Sequence, residues 1–194
     1  MKLIFATNNQ HKVDEIRSVI GNSSLEIITL KEAGIDIDIP EPFNTLEENA
    51  SNKSKTIYEM NRIDCFSEDT GLEVEALNGE PGVKSARYAG EEKSFDKNIE
   101  KLLQKLEGTT NRKAKFRTVI SLIVDAKETL FEGSCEGTIG HGKKGKEGFG
   151  YDPIFVPRGS IHTFGEMTID EKNQFSHRKK ATDKLIAYLS KGFS

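Results

Sequence analysis

Two long strand-like stretches, residues 114–124 and 129–139, are separated by only Asp125-Ala126-Lys127-Glu128. Both runs carry hydrophobic-polar patterning, and a polar connection this short predicts an antiparallel hairpin. That hairpin constrains the fold because the rest of the chain interleaves helices and strands. Leu3-Ile4-Phe5-Ala6 reads as a short buried strand, followed by a polar turn and then Val13, Ile16, Val19 and Ile20 at helical spacing. Strict β-α-β succession would give a parallel sheet, and the hairpin breaks it. A mixed sheet in an α/β fold is the expectation.

A second strand is expected at residues 25–28, and Ile35, Ile37 and Ile39 alternate with Asp36 and Asp38 as an extended segment running into Pro40. Residues 45–62 read as a helix with Thr45 as N-cap and Glu48 as its reciprocal capping-box partner. Short strands at residues 65–67 and 72–75 are expected to flank an acidic motif with a glycine turn. Residues 78–82 form a turn-rich loop, and residues 94–107 an amphipathic helix with Phe95, Ile99, Leu102, Leu103 and Leu106 on its apolar side. Residues 140–150 are a Gly/Lys loop, and Ser176 opens a terminal helix that buries Ala181, Leu185, Tyr188 and Leu189.

At 194 residues the chain fits one domain spanning residues 1–194, or one with a smaller lobe. Its net charge of −3, with acids and bases interspersed, argues against a broad footprint for nucleic acid or anionic membrane. A small polyanion needs only a local basic spot, and such spots occur at His11-Lys12, residues 143–146 and residues 177–180. The alternative for each is a solvated face, which is favoured for residues 143–146. Cys65 and Cys135 have no metal-knuckle spacing and suit a reducing, cytoplasmic setting. The start turns polar at Thr7, and no apolar run is long enough to span a membrane, so a soluble protein that is not exported is expected.

Glu68-Asp69, between Phe66-Ser67 and Thr70-Gly71, places two carboxylates side by side, which repel unless a cation or lysine offsets them. Hard divalent ions such as Mg²⁺ take such oxygen ligands beside phosphate. Glu41, held between Pro40 and Pro42, is a second acidic candidate or a solvated loop residue. The turn Thr7-Asn8-Asn9-Gln10-His11-Lys12 stands between a strand and a helix, where N–H groups and the helix dipole favour an anion. It is no Walker loop, and a plain Asn-capped connection explains it too. Phe149-Gly150-Tyr151-Asp152 combines an aromatic, backbone freedom and an acid, the parts that stack a base and bond its edge, although a strand-to-turn transition uses the same residues. His177-Arg178-Lys179-Lys180 puts positive charge in a helix first turn, at about 0.3–1 kcal/mol each. That cost suits a site for an anionic or carbonyl-bearing ligand, or else marks a suboptimal exposed turn.

In chain order, Thr7-Asn8-Asn9 to Lys12, Glu48-Asn49-Ala50 with Lys53, Glu68-Asp69-Thr70-Gly71-Leu72, Pro81-Gly82 with Ser85-Ala86-Arg87-Tyr88, Gly148-Phe149-Gly150-Tyr151-Asp152-Pro153, and Ser176-His177-Arg178 resemble the inosine triphosphate pyrophosphatase family. The resemblance implies an elongated mixed, twisted β-sheet flanked by helices, with two lobes and a central nucleotide-binding cleft. It implies Mg²⁺-dependent hydrolysis of ITP, dITP and XTP to the monophosphate and pyrophosphate, by a cytoplasmic homodimer. By the same likeness, residues 7–12 and Lys53 would hold phosphates. Asp69 would be the catalytic, metal-linked carboxylate, Glu41 would complete the metal site, and Glu68 would be a further candidate ligand. Thr70 would also contact substrate. Phe149 would stack on the purine, Gly150, Tyr151 and Asp152 would line that pocket, and Lys172, His177 and Arg178 would read the 6-oxo edge. Many bacterial relatives carry Asp-Asp at positions 68 and 69 and Gly-Asn at positions 8 and 9, where this chain has Glu68-Asp69 and Asn8-Asn9.

Overall fold

Leu3, Ile4 and Phe5 are buried on both sides of a four-residue strand, β1 (Lys2–Phe5). The computed structural model describes residues 1–21 and 25–192. After β1, Asn9 takes an extended backbone, and its side-chain oxygen accepts from the Lys12 N–H at 3.3 Å, opening α1 (Gln10–Ile20). β2 (Glu26–Thr29) runs parallel to β1, with Lys2 opposite Glu26 and Phe5 opposite Thr29. Residues 35–40 join no strand, but Ile35, Ile37 and Ile39 pack against the core as their alternation requires. α2 (Leu46–Asn61) starts at Thr45, whose hydroxyl accepts from the Glu48 N–H at 3.2 Å. The Glu48 carboxylate accepts from that same hydroxyl at 2.7 Å, so the expected box closes side chain to side chain.

The acidic motif departs from expectation. Instead of two strands around a glycine turn, β3 (Cys65–Val74) is one continuous ten-residue strand, buried along most of its length. Gly71 is strand, not turn. A Cβ there would stand 2.6 Å from the Gly82 carbonyl oxygen of β4 (Pro81–Gly82), the short antiparallel partner of β3. Close backbone approach, not turning, is what demands a glycine. The connection back to β4 turns at Asn78-Gly79, both at positive φ (52° and 89°), with Glu80 N–H donating to Leu77 C=O at 3.1 Å.

α3 (Phe95–Lys105) is capped by Ser94 and buries Ile99 and Leu102, but its first residue, Phe95, remains 40% exposed. The hairpin follows as β5 (Lys113–Val124) and β6 (Lys127–Ile139). Its turn is only Asp125-Ala126, both at positive φ (49° and 63°), which matches strand twist; Lys127 and Glu128 already belong to β6. β7 (Phe155–Pro157) pairs antiparallel with β6, and α4 (Ile169–Asn173) and α5 (His177–Ser190) complete the chain. Hydrogen bonding orders the strands β2-β1-β3-β5-β6-β7 with β4 on β3, a mixed sheet as the hairpin implied.

The chain divides into two compact units. One comprises Met1–Asp69, Thr118–Gly133 and Arg178–Ser194; the other comprises Thr70–Arg117 and Ser134–His177. In the first, strand periodicity sorts side chains between two layers. Leu3, Phe5, Phe66, Ile120, Leu122 and Val124 pack with α1 and with Ala181 and Leu185 of α5. Ile4, Ala6, Cys65 and Ile123 pack on the other side with Ile57 of α2. Helices on both faces explain why the second half of β5 is apolar at consecutive positions. In the second unit, Phe116, Phe155 and Phe164 form an aromatic cluster beside Ile99, Leu102 and Leu106 of α3. Among the described residues no helix is long and apolar enough to cross a membrane.

Candidate functional site

Because β3 alternates, its adjacent acids leave opposite faces of the strand. Phe66 stacks on Phe5 (centroids 4.4 Å apart) toward the α1/α5 layer, and Glu68, two residues on, shares that face. Ser67 donates to the Ala50 carbonyl of α2 at 2.5 Å, and Asp69 shares its face. The two carboxylates therefore do not crowd one another, and each meets its own cation.

Glu68 lies in a buried ionic group. The Arg178 guanidinium holds both its oxygens (Nε–Oε2 2.7 Å, Nη2–Oε1 3.0 Å), and Lys12 Nζ is 3.0 Å from Oε1. Arg178 Nη1 also donates to Glu15. Burial pushes the Glu68 pKa up, but the positive charges of Arg178 and Lys12 outweigh it and hold the group well below the usual carboxylate range. Burial likewise disfavours the Arg178 charge, and Glu68 and Glu15 reverse that effect. Arg178 is 1% exposed and His177 2%, so half of the basic first turn of α5 is buried, while Lys179 is part-exposed and Lys180 exposed. Acidic side chains from α1 and β3 supply the compensation that the helix dipole withholds.

On the opposite face, Lys53 of α2 reaches Glu41 through a hydrogen bond and stands 3.5 Å from Asp69 Oδ1. Lys53 and Asp69 are 7% and 5% exposed. Burial lowers the Lys53 pKa, but Asp69 and Glu41 raise it further, so the ammonium stays charged. The Thr7–Lys12 turn lies in the same unit. Thr7 Oγ1 accepts from the Asn9 N–H at 3.2 Å, Asn8 Nδ2 donates to Ile37 C=O at 2.8 Å, and Gln10 donates to Asp14 at 2.7 Å. His11 is exposed. Thus the first unit brings together Glu41, Lys53 and Asp69 on one side of β3, and Lys12, Glu68 and Arg178 on the other.

The second unit holds the aromatic candidates. Asp152 (2% exposed) accepts from the Phe149 N–H at 2.8 Å and from Lys172 Nζ at 2.6 Å through the same oxygen. Gly148, at φ +72°, gives this carboxylate room, since a Cβ would lie 2.0 Å from Asp152 Oδ2. Lys172 Nζ is 5.4 Å from the Phe149 ring centroid and 5.1 Å from that of Phe164. His177 stacks on Phe116 at 4.6 Å and 12°. Tyr151 donates its hydroxyl to the Ser85 carbonyl at 2.9 Å, and burial raises its pKa. Gly150 gives the loop a left-handed residue (φ +61°), and Thr70 lies on β3.

Sequence reasoning missed Glu15, Phe95, Phe116 and Phe164. Glu15 is 163 residues from its partner Arg178 and looks like any helical surface acid. The exposed Phe95 sits 6.1 Å from Phe149, ring to ring, a contact that its place in an apolar stripe concealed.

The mixed sheet between helices, carrying buried ion pairs on both faces of β3 and a further buried lysine-carboxylate pair among aromatic rings, defines the protein first as an α/β protein with buried charge. The chain belongs to the Ham1 family, whose model matches residues 3–188. It is 48% identical over 189 residues to the dITP/XTP pyrophosphatase of Flavobacterium psychrophilum (97% of this chain, 99% of the relative). It is 50% identical over 189 residues to the protein of that name from Porphyromonas gingivalis, covering 97% of each chain. Among solved structures, the Staphylococcus aureus Ham1 protein superposes with a TM-score of 0.89 at 41% identity over the whole of both chains. A Ham1 protein from Coxiella burnetii gives 0.90 at 32% identity, covering 99% of this chain and 100% of that one.

Proposed function

We propose that this protein hydrolyses the α–β phosphoanhydride of deaminated purine nucleoside triphosphates, ITP, dITP and XTP, releasing the monophosphate and pyrophosphate. The observation that carries the reading is the Glu41–Lys53–Asp69 group, in which an ammonium lies among carboxylates on a strand and an adjoining proline-bounded segment. Such a group suits polyphosphate, for Lys53 offers charge to phosphate oxygens while Asp69 accepts a proton from the attacking water. Names borne by relatives at 48–50% identity support the substrate class.

Among the described residues no three His, Cys, Asp or Glu side chains gather into a ready-made cage. Mg²⁺ commonly uses one or two carboxylates and takes its other oxygens from substrate and water. Glu41 and Asp69 are the residues that would hold it, and it would neutralise polyphosphate charge and polarise P–O bonds. Glu68, whose oxygens both bond Arg178, is the weaker ligand.

At the base end, Phe149 would stack on the purine, with its backbone fixed by Asp152. Lys172 and His177, in the same unit as Phe149, would supply donors. Hypoxanthine and xanthine present an oxygen at position 6 where adenine presents an amino group, and a buried donor left facing a donor costs about 1–3 kcal/mol. Guanine shares the oxo group, so its 2-amino group must account for its exclusion. A cytoplasmic homodimer completes the proposal, checked by light scattering on the purified chain.

The deciding experiment measures products from a nucleoside triphosphate panel with and without Mg²⁺. Pyrophosphate release from ITP and XTP, with ATP and GTP poor, is expected. Asp69→Asn should bind ITP yet turn over at least about a hundredfold more slowly. Equal turnover of all purine triphosphates sinks the substrate reading, and preference for modified pyrimidines transfers the enzyme to another specificity.

A further inference from the structure

Phe95 opens α3 at 40% exposure, whereas the following residues of its apolar stripe, Ile99 and Leu102, are 1% and 0% exposed. A single exposed apolar side chain needs no explanation by itself. Phe95 has a particular neighbour, however: its ring lies 6.1 Å from Phe149, tilted by 48°, within the centroid range of aromatic pairs. A second tie joins the same two segments, for Asp96 of α3 accepts from Lys143 Nζ at 2.6 Å, and Lys143 belongs to the glycine-rich loop that leads to Phe149. The backbone N–H of Phe149 is fixed by Asp152, but that bond leaves the side-chain torsions open. The ring is only half-buried, and Phe95 and the Lys172 ammonium are among its neighbours.

We infer that Phe95 is a positioning residue for base recognition, holding the Phe149 ring in the orientation that receives the purine. The inference rests on the reading of Phe149 given under Proposed function. Phe95 touches Phe149 rather than reacting atoms, so its removal lowers substrate affinity and leaves the chemical step alone. An aromatic pair contributes enough to make the effect about two- to tenfold.

The test is a double-mutant cycle on the full chain, reading KM and kcat for ITP with thermal melting alongside. Phe95→Ala should raise KM by about two- to tenfold with kcat held within about twofold and the melting temperature nearly unmoved. Phe95→Tyr should restore KM, and Phe95→Leu, which fills space without a ring, should restore it only in part. In a Phe149→Ala background, Phe95→Ala should add nothing. No KM change in the single variant overturns the inference, as does an equal change in both backgrounds or a fall in kcat that follows the melting temperature. If Phe149→Ala itself leaves KM unchanged, base stacking by Phe149 fails and the inference falls with it. If neither ITP nor XTP is turned over, the proposed function is what has failed.

Discussion

Replacing Arg178 by alanine should be far more damaging than its surface-like sequence context suggests. The guanidinium is 1% exposed, carries two hydrogen bonds to Glu68 and one to Glu15, and is the cation that these carboxylates share. Its loss would leave Lys12 facing Glu68 and would remove a charged partner of the Glu15 carboxylate. Breaking a buried pair by removing one member typically costs about 3–5 kcal/mol. For a domain of this size that corresponds to a drop in melting temperature of roughly 6–20 °C. The pH dependence supplies a sharper signature. In the wild type, Glu68 has a depressed folded-state pKa, so its contribution is present above the ordinary carboxylate pKa and is lost as pH falls through the folded value. Without Arg178, burial of Glu68 is opposed by Lys12 without the guanidinium's help, so its folded-state pKa rises relative to the wild type. The stability gap between variant and wild type should then narrow as pH falls from 7 to about 4. Urea unfolding at both pH values measures this. A loss below about 1 kcal/mol at pH 7, or parallel pH profiles, would refute the buried-charge account.

Other consequences are simpler. Burial, aided by Asp64, pushes the Cys65 thiol up to about 12 from an ordinary value near 9. The folded state thus keeps a proton that the unfolded chain gives up, and stability should fall by about 1.4 kcal/mol per pH unit between those values. A Cys65→Ala variant should lack that slope in alkaline urea titrations. Gly71→Ala would drive a Cβ to 2.6 Å from the Gly82 carbonyl oxygen and should destabilise by about 1–3 kcal/mol, read by thermal melting; an unchanged melting point would contradict the β3–β4 approach.

Local chemistry made much of the fold legible. Thr45 and Ser94 open helices at the expected positions, and the hairpin predicted a mixed sheet because a short polar connection has few alternatives. What escaped were contacts across long sequence distances. Nothing near Arg178 names Glu68, 110 residues away, and nothing near Phe149 names Phe95. In sequence the glycine at position 71 reads as a turn because glycine's commonest use is positive φ, whereas in the fold it admits a neighbouring backbone.

The acidic pair was visible, but its arrangement depended on whether residues 68 and 69 ended a strand or lay within one. Within β3 the period of two decides the matter, sending Glu68 toward Arg178 and Asp69 toward Lys53. A one-residue slip of β3 would exchange them and place Phe66 on the wrong face, so the hydrophobic register of Phe66 against Phe5 also fixes which acid faces α2. Adjacent carboxylates are thereby given separable duties. Substitution at Glu68 perturbs a buried ionic group and reports on folding, while substitution at Asp69, beside Lys53 and Glu41, is the one that interrogates the proposed chemistry.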